Sequence, residues 1–411
     1  MELEFRTASE NDIKEVAAVW REAFRRRLRE SYAKGLRAAE EMRQGRCFIL
    51  LALHKGRIVG AVKNRLEALQ IGHDTIQKAD VGEVAVKPSL QGRGVGSAMM
   101  HRNQEMLLEH GVHLARLGGM CRFYSRFGYS PVPKVRYRCP LVPVFGGVKK
   151  IDVKAATADA LKEGFSVRGF ETDSDAAQFT AMRMAFQKDR TGNIADDTPP
   201  VSIQALRADR NRMLCADASG RVLACIHASL RDGFVYDLCY DTAAPEGPAA
   251  LAMLWADFAR RAAKWGRKII EARLPDDPTM LVALRMSGLP IERVEITSNT
   301  VSTQVSILNL AGVFTRIAST LEQRLSEGPA GGVGCKLSVH LTERSQVGSI
   351  SLGSNFPGAQ IKMRISQADF VCLLLGLRSL AEVPGCIIEP DTPHARGIIA
   401  SLFPRQTGYF F

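Results

Sequence analysis

The stretch Gln91-Gly92-Arg93-Gly94-Val95-Gly96-Ser97 stands between a β-type run, Val84-Ala85-Val86, and a segment of helical apolar spacing, Val95 to Leu108. Pro88 and Gly92 break the pattern between the two. Glycines let a backbone approach a ligand closely, and the free N–H groups and dipole of a helix start attract an anion. Arg93 adds a charged donor suited to phosphate. Taken alone, such a turn also serves shape, as an ordinary strand–turn–helix joint. A second group follows about thirty residues later, Phe123-Tyr124-Ser125-Arg126-Phe127-Gly128-Tyr129. The Tyr124 hydroxyl can release a proton to a leaving group, while the plainer role of its ring is that of a core aromatic beside Phe123 and Phe127.

The elements that must position these groups read as α+β over the first 140 residues. Ser9 and Asp12 are candidate caps for a helix from Ile13. Cys47 to Leu53 predicts a buried strand, Lys55-Gly56 a turn, Ile58 to Val62 a second strand and Val81 to Val86 a third. Val112 to Leu117 and a short helix around Phe123 to Phe127, closed by Gly128, complete the plan. The same order returns between about 165 and 300: strands at 165–168, 213–216, 222–230, 234–240 and 269–274, with helices at about 176–186, 249–264 and 279–286. A divergent duplication follows from that repeat. The second copy lacks the glycine loop. In its place stands Asp241-Thr-Ala-Ala-Pro-Glu-Gly-Pro-Ala249, whose prolines remove N–H donors that a phosphate would need. A third segment, about 301–411, offers a strand, a helix at 313–325, a Gly-rich turn, three further strands and two helices. It ends Tyr409-Phe410-Phe411, an aromatic terminus uncommon for a frayed tail.

The composition is that of a globular protein, 46% hydrophobic and 24% charged. No apolar stretch approaches the roughly 20 residues of a membrane helix, and the start has no signal pattern, so a soluble cytoplasmic protein is expected. Nine cysteines without a C-x-x-C pair predict buried reduced thiols, and the eight scattered histidines give no metal spacing. The net charge of +12 raises polyanion binding, with Arg21 to Arg29 as the densest run. That run falls on a helix with an apolar face of Ile13, Val16, Trp20, Phe24 and Leu28, so a solvated helix face is the favoured reading, and no nucleic-acid motif accompanies it.

The glycine loop after a strand, with the Tyr124 segment behind it, resembles the GNAT superfamily of N-acetyltransferases over roughly residues 1–140. Two GNAT-like units and a third segment that looks like a sterol carrier protein domain are similar to the enhanced intracellular survival (Eis) family. The resemblance implies a mixed α/β, α+β fold with domains at 1–145 (intact GNAT), 146–300 (degenerate GNAT-like) and 301–411 (sterol carrier protein-like). It implies acetyl-CoA as cosubstrate, no metal, a small-molecule or lysine amine as acceptor, and a homo-oligomer, a hexamer in that family. Cofactor contacts are implied at Val84, Ala85, Val86, Gln91, Gly92, Arg93, Gly94, Val95, Gly96 and Ser97, with a backbone N–H near Val84 as oxyanion donor.

The resemblance also implies Tyr124 as the general acid for the departing thiolate. The implied base is the α-carboxylate of Phe411, ionised at an ordinary pKa of about 3.3–3.7. Glu83, one residue before Val84, is the second choice, since neighbours on a strand face opposite ways. Aminoglycoside-like amines, polyamines and lysine side chains are the acceptor classes the resemblance brings, although the positive charge suits polycations poorly. A binding protein that senses acetyl-CoA or a lipid without turnover is the alternative.

Overall fold

A computed structural model describes residues 1–142, 152–160, 164–188, 190–195, 202–274, 278–328, 333–343, 345–353 and 358–405. The chain divides into two compact units, 1–132 with 297–374 and 378–404, and 133–296.

The first unit is built on a seven-stranded sheet in the order β1-β2-β3-β4-β5-β14-β6. Its strands are β1 (Glu4–Thr7), β2 (Cys47–His54), β3 (Arg57–Ile71), β4 (Asp74–Val86), β5 (Leu114–Met120), β6 (Ser130–Pro131) and the distant β14 (Val301–Ile307). Helix α3 (Val95–Glu109) covers one face, packing Val95, Met99 and Leu107 on Val62, Ala79 and Val81. Helix α1 (Ile13–Phe24) packs Val16, Val19 and Trp20 on the other face, against Ile49, Leu51 and Ala85.

Two segments differ from the pattern of apolar runs. β3 and β4 form a hairpin far longer than Ile58–Val62 and Val81–Val86. The added half carries Arg65, Glu67, Lys78 and Asp80 within the sheet, with Arg65 opposite Asp80 and Glu67 opposite Lys78. Lys78 Nζ lies 2.7 Å from Glu67 and 3.3 Å from Asp80, and Arg116 on β5 lies 3.1 Å from Asp80. Mutual pairing lets these charges enter a sheet that apolar patterning does not reveal. The single amphipathic helix expected through Leu28 is in fact two. Arg25 takes a left-handed conformation (φ 50°) and ends α1, and α2 (Leu28–Arg43) begins anew. Phe24 and Leu28, assigned to the buried stripe, are 40% and 65% exposed.

The second unit repeats the sheet in the order β13-β7-β12-β11-β10-β9-β8. Its strands are β7 (Lys134–Pro140), β8 (Phe165–Arg168), β9 (Arg212–Asp217), β10 (Val222–Ser229), β11 (Phe234–Tyr240), β12 (Ile269–Ala272) and β13 (Glu292–Ile296). Read from β8, the order matches that of the first sheet from β1. In both sheets the slot beside the last two strands is filled from elsewhere in sequence: β14 enters beside β5 and β6, and β7 enters beside β12 and β13.

The remainder of the first unit is α+β. A four-stranded sheet, β16-β15-β17-β18, comprises β15 (Cys335–Leu341), β16 (Gln346–Leu352), β17 (Ala359–Ile365) and β18 (Ile387–Glu389). Helices Leu310–Arg316, Ala318–Glu327, Gln367–Leu374 and Pro393–Leu402 accompany it. Among the described residues no helix is long and apolar enough to cross a membrane, and all nine cysteines are buried and unbridged.

Candidate active site

Strands β4 and β5 run parallel but pair only from Lys78–Leu114 to Val81–Leu117. Beyond that point β4 stays with β3 as far as Val86–Gly60, and β5 stays with β14 as far as Met120–Val301, so the two strands part and open a cleft. A β-bulge marks the parting: Ala61 faces Ala85 but Lys63 faces Gly82, which leaves one extra residue on β4. Glu83 holds that bulge at φ 48°. Lys87 N–H bonds Val59 O on the β3 side, 2.9 Å. Because backbone groups alternate along a strand, the N–H groups of Val86 and Val84 turn toward the cleft. Backbone N–H groups so placed are free of a strand partner on that side and can donate to an extended chain or to a negatively charged oxygen.

The glycine turn closes the end of β4. Gln91 Nε2 donates to Val86 O at 3.0 Å and fastens the turn to the strand. Gly92 (φ 75°) and Gly94 (φ 84°) adopt conformations open to glycine, and a Cβ on either would meet nothing within 4 Å. Gly94 is the N-cap of α3 without a side-chain cap, and no acidic residue occupies the first turn. The leading N–H groups of that helix therefore face an open cradle with the positive end of the helix dipole. A Cβ on Gly96 would sit 3.4 Å from Phe123 and 3.8 Å from Val86, so Gly96 is where strand, helix start and tyrosine segment converge. Arg126 joins the cradle from that segment. Its guanidinium lies 5.0 Å from the Phe123 ring centre and bonds Ser97 Oγ at 3.2 Å. Sequence reasoning overlooked Arg126, though it lies two residues past Tyr124.

Tyr124 closes α4 (Cys121–Tyr124), directly after β5. Its ring packs on Gly119: a Cβ there would come within 2.4 Å of Tyr124 Cε2, so the seat accepts only glycine. Burial pushes the phenol above its usual value, keeping it protonated. Two buried glutamines hold this corner from far away in sequence. Gln304 on β14 donates to Gly119 O at 3.1 Å. Gln367 Nε2 donates to Gly128 O at 2.9 Å and Ser130 Oγ at 3.1 Å, and its Oε1 accepts Ile307 N–H at 2.8 Å.

Glu83 points to the α1–α2 side, where it accepts from Arg26 Nη1 and from Lys34 Nζ, the latter at 2.9 Å. Burial alone would raise its pKa, but these two cations outweigh burial and hold the carboxyl below its ordinary value. Phe411, Tyr409 and Phe410 lie outside the described residues.

The second unit has the same parting of strands and a different filling. β11 and β12 pair only at Phe234–Glu271 and Val235–Ala272. After β11, Asp241 Oδ1 accepts the N–H groups of Ala243 and Ala244 at 3.0 and 3.2 Å. A Cβ on Gly247 would strike Asp241 O at 2.1 Å. A resident carboxylate thus occupies two loop N–H groups, and Pro248 removes a donor from the start of the helix Gly247–Lys264, which, like α3, has no side-chain cap.

Residues 4–132, which hold the open cleft, match the family model of the acetyltransferase (GNAT) domain. No curated protein matches the sequence. Over the full length the fold is similar to a GCN5-related N-acetyltransferase from Kribbella flavida (TM-score 0.66, 17% identity, 100% of both chains). It is also similar to one from Anabaena variabilis ATCC 29413 (0.63, 13%, 100% of both chains). Eis1 from Mycobacterium abscessus aligns with a TM-score of 0.54 at 16% identity, covering 100% of this chain and 99% of that one. The fold is thus one of tandem GNAT-like units, the second degenerate, with a further α+β segment.

Proposed function

We propose that the protein is an acetyl-CoA-dependent N-acetyltransferase acting on an amine. The observation that carries this reading is the cleft between β4 and β5, with open phosphate-binding donors at one end and Tyr124 at the other. The fit to the donor rests on Gly92 and Gly94, where added Cβ atoms would meet open space, and on the uncapped start of α3. Acetyl-CoA supplies an activated thioester. The α3 N–H groups, Arg93 and Arg126 bind its phosphates, and Val84 and Val86 orient the arm along β4. The Val84 N–H stabilises negative charge on the acetyl oxygen, and Tyr124 Oη gives up its proton to the sulfur.

The amine must lose a proton. Glu83 is a poor acceptor while Arg26 and Lys34 hold it, which favours the α-carboxylate of Phe411 as base. The sterol carrier protein-like character of the last segment, its delivery of that tail and a hexameric assembly belong to the same reading. Thiol release from acetyl-CoA across a panel of amines tests it. Acceptor-dependent release supports the enzyme, and tight CoA binding with no release over the whole panel supports a sensor. A C-terminal extension is expected to impair turnover, and full activity in the extended form would move the base away from Phe411.

A further inference from the structure

The face of the cleft opposite α3 carries charge in an uneven way. Residues 21–37, which form the end of α1, the turn and the first half of α2, hold seven cations and only two carboxylates, Glu22 and Glu30. Most of these side chains point outward, but two do not. Arg26 and Lys34 turn in to the bulge and take Glu83 between them. Arg26 also lies 3.7 Å from the exposed Glu30. Further along the same face the carboxylates of Glu41, Glu67 and Asp80 are each bound by Lys63, Arg65, Lys78 or Arg116. The inward-facing carboxylates Glu41, Glu67, Asp80 and Glu83 thus all have cationic partners, and the exposed Glu22 lies at the rim among the arginines.

A polycationic acceptor would therefore meet like charge at the rim and no unclaimed carboxylate inside. Lys34 has the opposite character. Its side chain is 39% exposed, and an ammonium donates three hydrogen bonds, of which Glu83 takes one. Glu83 directly precedes Val84, whose N–H faces the reacting carbonyl, and adjacent Cα atoms are about 3.8 Å apart. Lys34 and Arg26 are thus gathered at the residue that precedes Val84, at the bulge where β4 leaves β5.

We infer that the acceptor is a small amine that also carries a carboxylate or a phosphate, and that Lys34 and Arg26 bind this anionic group beside the bulge. The inference rests on the acetyltransferase reading and adds the acceptor class to it. No cation of this pair needs to leave Glu83, because the spare donors of Lys34 and of the Arg26 fork remain available.

The test uses the full chain, acetyl-CoA and matched acceptors: ethanolamine against O-phosphoethanolamine, butylamine against 4-aminobutyrate, and spermidine as a polycation. The anionic member of each pair is expected to have a kcat/KM at least about tenfold higher, a margin that shrinks with added salt. The two pairs separate phosphate from carboxylate preference. Lys34→Gln is expected to raise KM for the anionic amines by a clearly larger factor than KM for ethanolamine and butylamine. Equal or better use of spermidine or of the amines without an anionic group by the wild type overturns the inference, as does an unchanged KM for the anionic amines in Lys34→Gln. If acetyl-CoA binds but no amine is turned over, the acetyltransferase reading fails separately. Calorimetric binding of O-phosphoethanolamine to the CoA-loaded protein then decides: binding weakened by Lys34→Gln supports the anion site, and no binding refutes it.

Discussion

The two parted strand pairs, β4 with β5 and β11 with β12, start from the same sheet order and end in different chemistry. In the first, three glycines and an uncapped helix leave backbone donors turned to open space. In the second, Asp241 brings its own negative charge to the N–H groups of Ala243 and Ala244. A phosphate and a resident carboxylate compete for the same kind of donor, so these two N–H groups are satisfied without a ligand, and Pro248 removes a further donor from the helix start behind them. An opening in a sheet is therefore not a binding site by itself. What matters is whether the donors at its end are left unpaired.

Several changes would break or sharpen this contrast. The largest effect is expected from Gly94→Asp, which puts a carboxylate into the open cradle at a left-handed position. Acetyl-CoA affinity should fall on the order of 100-fold, read by calorimetry. Tyr124→Phe should lower kcat by roughly 100-fold with the Kd for CoA within about twofold, since it removes a proton donor and little else. A rate equal to wild type would remove Tyr124 from the chemistry. Burial raises the Tyr124 pKa above its usual 10, and the acid form is the active one. The midpoint of the alkaline loss of kcat should therefore lie above pH 10.

Gly119→Ala, which drives a methyl into the Tyr124 ring, should cost about tenfold in kcat together with a lower Tm. Gln367→Leu strips four groups of a partner and should destabilise the first unit by about 2–3 kcal/mol in denaturant unfolding. Asp241→Asn, on the other side of the comparison, should cost only about 1 kcal/mol and leave turnover unchanged. A second CoA site appearing in that variant would show that Asp241 alone had closed the loop.

The site was legible where local chemistry demanded unusual residues. The turn shows in Gly92, Gly94 and Gly96, and the tyrosine corner shows in the Phe123–Tyr129 run. The doubled plan was readable too, because apolar runs and turns recur in order. Elsewhere the pattern misled. Arg65, Glu67, Lys78 and Asp80 hide half of the β3–β4 hairpin, since only their cross-strand pairing makes strand residues of them. The break at Arg25 is invisible because a left-handed arginine has no sequence mark. Gln304 and Gln367 act across more than 180 residues, so nothing near Tyr124 announces them. The same holds for Arg26 and Lys34, which look like a solvated helix face until the bulge at Glu83 gathers them.

The most direct test is a calorimetric titration of the full chain with acetyl-CoA. One site per chain, lost in Gly94→Asp and retained in Asp241→Asn, is the expected result. Two sites per chain, or binding that survives Gly94→Asp undiminished, would contradict the assignment of the donor site to the first cleft alone.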